Sequence, residues 1–221
     1  IYRAWLLDSA RVFPVTVDPV YASASARPTF DAFVQSNISS DRSSEQELKA
    51  GTYDGKVKAR SFLTFSTAPF KGVKVQSASL KVYESWSYSC TAKPLEVWST
   101  KSVASSSIRW GSQPGLVTRY GSVNVAKGAN SSCAAGWVNI PITGLAQSWS
   151  TSSAASATLA LKAASETDVL GWKRFRSMES TTPPSIVFTY NRKPNAAAIP
   201  QVAGSTTFAG ATFVSAKRPS V

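Results

Sequence analysis

The sequence predicts an all-β chain: an antiparallel β-sandwich of the jelly-roll type, with one short helix near residues 142–149 and an irregular C-terminal tail. Three observations lead there. Apolar residues recur with period two almost throughout, turn-forming residues punctuate the chain at short intervals, and a single window carries a helical period.

The first strand is read at Phe13-Pro14-Val15-Thr16-Val17-Asp18, where Val15 and Val17 alternate with Thr16 and Asp18. A second is expected near 29–35. Residues 57–66 place Val57, Ala59, Leu63 and Phe65 on one face, with Lys58, Arg60, Phe62 and Thr64 on the other. Residues 78–84 turn Ala78, Leu80 and Val82 inward and Ser79, Lys81 and Tyr83 outward. Further strands are expected near 95–100, 116–126, 136–140, 157–163, 169–177 and 185–190. Asp54-Gly55, Lys71-Gly72, Gln113-Pro114-Gly115, Lys127-Gly128 and Thr182-Pro183-Pro184 supply the turns between them. Only Ile142–Trp149 reads as helical, with Leu145 and Trp149 four apart on one face. Beyond Asn191 the composition shifts to Ala, Gly, Pro, Ser and Thr. The chain is therefore divided into a lead-in (1–12), a β-module (13–191) and a linker or the start of a following β-domain (192–221). It begins on Ile1-Tyr2-Arg3 without Met and reads as a piece of something longer.

Composition narrows the function. The chain has 221 residues, enough for one large domain, and no histidine. The missing imidazole removes Ser-His-Asp and Cys-His catalysis, His-ligated metals and any His acid or base. Twenty-four Lys and Arg against twelve Asp and Glu leave a formal charge of +12, which invites an acidic partner. The basic residues are dispersed, with no basic helix, zinc-ligand pattern or RNA-binding sheet signature, so specific nucleic-acid binding is not expected. No segment approaches the ~20 apolar residues of a membrane-spanning helix. Cys90 and Cys133 form no CxxC pattern and suit one disulfide in an exported protein; two reduced buried thiols are the alternative. Such a link would stabilise the fold by about 4 kcal/mol in the chain-entropy model.

Several spaced motifs, in order, resemble the DNRLRE domains, jelly-roll modules of large secreted bacterial proteins that often carry Rhs/YD repeats or polymorphic toxins. They are Trp5-Leu6-Leu7-Asp8, Phe13 to Pro19, Glu47-Leu48-Lys49-Ala50-Gly51, Ala59 to Phe65 and Ser89-Cys90-Thr91-Ala92. Ile108 to Pro114, Gly136-Trp137, Gln147-Ser148-Trp149, Trp172-Lys173-Arg174-Phe175 and Pro184 to Asn191 complete the set. The name-giving Asp-Asn-Arg-Leu-Arg-Glu string is replaced by Ser44-Glu45-Gln46-Glu47-Leu48-Lys49. The resemblance implies a non-catalytic, secreted or cell-surface module. Some such relatives look like carbohydrate-binding modules for acidic polysaccharide such as alginate; others look like spacers.

Sugars are held by aromatic faces and polar groups, and uronate carboxylates fit the fork of Arg. Alternation puts Trp172, Arg174 and Arg176 on one strand face, with Lys173 and Phe175 on the other. Lys58, Arg60 and Phe62 form a second such face, and the Trp86/Tyr88 loop offers a platform. The expected partner is an acidic polysaccharide or neighbouring domains of the same protein. The alternative is a pure spacer or protein–protein module in an Rhs/toxin-type assembly. A polysaccharide-active enzyme has the least support: the carboxylate pairs Glu45/Glu47 and Glu166/Asp168 sit in polar, turn-like surroundings where no raised pKa is expected. No cofactor is called for. Structural calcium stays open, with no Asp/Asn-rich loop of ligand spacing to indicate it.

Overall fold

The computed structural model describes residues 21–104 and 108–192, with the backbone of 205–208 and 211–214. The expected strand at 13–18, the lead-in motif at Trp5 and most of the tail lie outside the described residues. Two antiparallel sheets form a sandwich. Strands β1 (Ala22–Ala26), β3 (Glu47–Ala50), β5 (Val73–Ser87), β8 (Gly136–Pro141), β10 (Lys173–Arg176) and β11 (Ser185–Arg192) make one sheet. Strands β2 (Phe30–Gln35), β4 (Ala59–Ser66), β6 (Lys93–Thr100), β7 (Leu116–Val125) and β9 (Ser156–Ala163) make the other, in the order β2-β4-β9-β6-β7. The chain crosses between sheets at almost every connection; the β6–β7 pair is a hairpin within one sheet. In the tail, β12 (Ser205–Phe208) and β13 (Ala211–Val214) pair antiparallel.

Strand β5 organises the six-stranded sheet. Its residues 79–81 pair with β11 on one side and β8 on the other, and Glu84 pairs with β10 and β8. Strands β11 and β10 therefore follow each other along the same edge of β5, and β8 lies along the opposite edge. The expected strand at 78–84 is the middle of this 15-residue element. Its ends are invisible to strict alternation because a register shift interrupts the pairing with each of β11 and β10. The single α-helix, α1 (Thr143–Thr151), closes the end of the sandwich. Where β8 stops, the freed backbone donors of β5 must find other acceptors. Ala78 N–H donates to Thr143 Oγ1 at 3.0 Å and Val75 N–H to Gln147 Oε1 at 2.8 Å. Leu145, Ala146 and Trp149 are buried, with the Trp149 ring 5.2 Å from Phe70 and 6.2 Å from Phe65.

The main core lies between the sheets and includes Leu48, Leu63, Phe65, Leu80, Val82, Ile140, Phe175 and Phe188. A smaller cluster sits on the outer side of the five-stranded sheet, where Ala32, Val34, Phe62 and Ala160 meet Ala104 and Ile108. Trp98, Trp110 and Leu116 pack around it. The connection between β6 and β7 thus roofs that face, which is why β4 is buried on both sides. Among the described residues the six-stranded sheet carries no such second cluster and nothing roofs its outer face.

Candidate functional site

The open face is built by one irregularity. Strict alternation from Leu80 through Val82 and Glu84 would send Trp86 into the core. Phe175 pairs with Glu84, yet Arg174, the next residue back, pairs with Trp86, so Ser85 is an extra residue in β5. Such a bulge reverses the alternation beyond it. Glu84 stays inside with Phe175, while Trp86 joins Arg174 outside and Ser87 goes in with Lys173.

The Arg174 guanidinium lies over the Trp86 ring at 5.1 Å. A carboxylate reaches it from the next strand, with Arg174 Nη1 to Glu47 Oε2 at 3.6 Å, too long for a hydrogen bond. The Arg174 side chain is 41% exposed; its Nε is shielded from solvent and has no hydrogen-bond partner, so the exposed donors are those of the two terminal nitrogens. A guanidinium offers five donors, so this one is largely unused by the protein. Tyr88 is 50% exposed, its ring 6.5 Å from Trp86 and nearly perpendicular to it. Arg176 lies on the same face, in register with Glu47. Lys49 neighbours Arg174 in register but turns its ammonium over the Phe33 ring at 4.4 Å. Burial, then the Arg174 charge, hold that ammonium below the usual lysine range.

The Trp86–Tyr88 segment is braced from beneath. Cys90 and Cys133 form a disulfide with Cα atoms 5.7 Å apart, joining the loop after Tyr88 to the loop before β8. In that second loop Gly128 has φ +83°, and a Cβ there would stand 2.5 Å from Ser85 O and 2.8 Å from Trp86 Cα. Gly128→Ala is therefore expected to lose about 1–3 kcal/mol in urea unfolding, through backbone strain and displacement of β5. An unchanged midpoint would show that the loop does not press on the bulge.

A second group stands further along the same face. Tyr83 and Trp137 pair across β5 and β8, their rings 5.4 Å apart and edge-to-face. The Lys81 ammonium lies 4.5 Å above the Trp137 ring, and Trp137 is 37% exposed. Alternation already turns Lys81 and Tyr83 outward; what the sequence hides is that Trp137 arrives beside them from a strand more than fifty positions away.

The side chains of the remaining predicted residues do not join this exposed group. Trp172 is buried, with the Tyr53 ring packed edge-on against it at 5.7 Å, so it offers no platform. It precedes β10 at the end of a single 3-10 turn and does not share the exposure of Arg174. Arg60 is tied to Glu166 by two hydrogen bonds of 2.7 Å, to Gln113 at 3.1 Å, and stacks on Trp110 at 5.0 Å. Phe62 is fully buried under the roof, and Lys58 stands apart at the start of that strand's approach. The structure thus joins Arg174, Arg176, Trp86 and Tyr88 on one face; Trp172 lies beside them, its carbonyl accepting from Tyr88 N–H at 3.0 Å, but its ring is buried, and Arg60 with the neighbouring Lys58 belongs to the other sheet. A shallow groove of about 450 Å³ opens elsewhere, between Ser36–Ser39 and Arg109–Gly111.

Two of the carboxylates, Asp168 and Asp31, are held in structural roles. Asp168 is bonded to Lys93 at 2.7 Å and to Leu170 N–H at 3.0 Å, which hold it below the usual carboxylate range. Asp31 is 1% exposed; burial pushes it up to about 7, with the Glu179 carboxylate adding to the shift. That burial also removes it from contact with any ligand. Among the described residues no group of three or more His, Cys, Asp or Glu converges as metal ligands would.

A family model, that of carbohydrate-binding module family 96, matches residues 22–190, from the start of β1 into β11. No curated protein matches the chain.

Proposed function

The chain belongs to carbohydrate-binding module family 96, and on that footing we propose that it holds an acidic polysaccharide on the open face of its six-stranded sheet, around Trp86, Tyr88, Arg174 and Arg176. The observation that carries this reading is the Arg174–Trp86 couple, an exposed guanidinium that makes no hydrogen bond among the described residues and is fixed over an indole. A uronate presents a planar carboxylate beside an apolar sugar face. The fork of Arg and an aromatic ring match those two features. The contact between Arg174 and Glu47 is the one a ligand carboxylate would replace.

Membership of a binding-module family supports a non-catalytic role for this region. The disulfide supports an extracellular setting, within a longer secreted or cell-surface bacterial protein of the DNRLRE kind. The flanking segments are then a lead-in and a link to a following β-domain.

Affinity electrophoresis and calorimetry against alginate, pectate and hyaluronan, with neutral glycans as controls and a salt titration, test the proposal. One polyuronate is expected to bind preferentially, and more weakly as salt rises. Arg174→Ala and Trp86→Ala are each expected to weaken that binding roughly 10–100-fold, the loss of a charged hydrogen-bonding partner or its support. Absence of binding at low salt would favour a spacer in an Rhs-type assembly. Equal binding to every polyanion would reduce the face to non-specific charge.

A further inference from the structure

We propose that Lys81, Tyr83 and Trp137 form a second subsite, so that the open face grips an internal stretch of an extended polyanionic glycan rather than its end. This rests on the preceding reading of the Trp86–Arg174 site and extends it.

Three observations support it. First, the two groups share one face of one sheet. Lys81 and Tyr83 alternate with the buried Leu80, Val82 and Glu84, and Trp137 pairs with Tyr83. The bulge at Ser85 brings Trp86 to that same face.

Second, the cations fall in a row. Strand β10 runs antiparallel to β5, so moving from Arg174 to Arg176 leads back along β5 towards Tyr83 and Lys81. Lys81 and Trp86 are five positions apart on β5, roughly 13–17 Å at strand rise allowing for the bulge. Arg174, Arg176 and Lys81 therefore form a track, with aromatic rings at both ends.

Third, the far end is unneutralised and uncovered. Among the described residues Lys81 and Arg176 make no ion pair, and the carboxylate that reaches the track is Glu47, at Arg174. A cation resting on an indole is held in place with its remaining donors towards solvent. The opposite sheet shows the contrast, since part of its outer face is roofed and its arginines Arg60 and Arg119 are paired with Glu166 and Glu96. A row of spaced cations flanked by rings suits a linear chain with regularly repeated carboxylates. Two linked contacts on one ligand also raise affinity by effective concentration.

The test uses the full chain and purified oligogalacturonates and oligomannuronates from disaccharide to decasaccharide, titrated by calorimetry. Wild-type affinity is expected to climb with length, by about tenfold or more, once an oligomer spans both groups. Trp137→Ala and Lys81→Gln are expected to remove that gain while leaving short-oligomer affinity at the wild-type level. Arg174→Ala is expected to weaken every length. Lys81→Gln keeps the surface packing, so it decides the matter if Trp137→Ala fails to fold. A length dependence unaltered by Lys81→Gln would overturn the second subsite while leaving the first intact. Absence of binding at every length would overturn both readings. Equal competition by single-stranded poly(dT) would overturn the glycan assignment and mark the track as a general polyanion surface.

Discussion

Lys173→Met is expected to destabilise the module by about 3–5 kcal/mol, read as a lower denaturant midpoint at pH 7. Lys173 and Glu84 are both fully buried, with Nζ to Oε1 at 3.1 Å, and Glu84 Oε2 makes no hydrogen bond. Burial pushes Glu84 up and Lys173 down, each partly opposed by the charge of its partner. Removing the ammonium leaves a buried carboxylate that has lost its main counter-charge and keeps only the weaker support of the Lys127 backbone N–H and charge. Methionine keeps most of the volume, so the loss reports the electrostatics rather than a cavity. Two further outcomes separate this account from simple mispacking. The defect is expected to shrink at pH 4, where the lone Glu84 takes up a proton. The double variant Lys173→Met/Glu84→Leu is expected to recover most of the stability, since an apolar pair no longer needs charge balance. A single variant within about 1 kcal/mol of wild type would show that the pair contributes little. The pair lies directly behind the bulge that exposes Trp86, so binding measurements on these variants should be made only where the fold is intact.

Asp31→Asn is expected to flatten the pH dependence of stability. The folded-state pKa of Asp31 is about 7 against an ordinary value near 3.8, with burial the largest cause. The sign follows from proton binding. Between those two values the folded chain holds a proton that the unfolded chain has released, so stability falls as pH rises. The contribution is fully present below the ordinary value and is lost through about 7. Three pKa units correspond to about 4 kcal/mol at most. Asparagine mimics the neutral acid: its carbonyl can accept from Met178 N–H, now 2.8 Å from Asp31 Oδ2, and its amide can face the Glu179 carboxylate. The variant should therefore match wild type at pH 4 and exceed it at pH 9. Parallel stability curves for the two proteins would show that Asp31 does not titrate near neutrality.

Much of the sandwich is legible because burial between two sheets imposes period two. Leu80 and Val82, Val138 and Ile140, Ile186 and Phe188 all alternate, and all enter the core. Strands β1 and β3 are harder to see, because Ala22–Ala26 carries only small residues and Glu47–Ala50 is too short for a period to emerge. Alternation also separates Lys173 and Phe175 from Arg174 and Arg176 correctly. It does not reveal that the buried lysine finds its acid on β5.

For the site, local pattern specifies which residue types are available and little about their company. Trp172, Arg174 and Arg176 share a parity, yet Trp172 falls under Tyr53 before the strand begins. Arg60 and Phe62 point outward as their parity demands, but a connection from elsewhere in the chain roofs them and supplies Trp110 and Gln113.

Alternation, turn residues and the absence of histidine suffice to specify an antiparallel β-sandwich without imidazole chemistry. These are local or compositional properties, and each residue carries its share of them. Which sheet face stays open, whether Trp86 points in or out, and which ring each cation rests on are decided only in the folded chain. One inserted residue at Ser85 reverses parity, and contacts between positions far apart in sequence settle what is covered. Both effects depend on pairing partners that no single strand encodes.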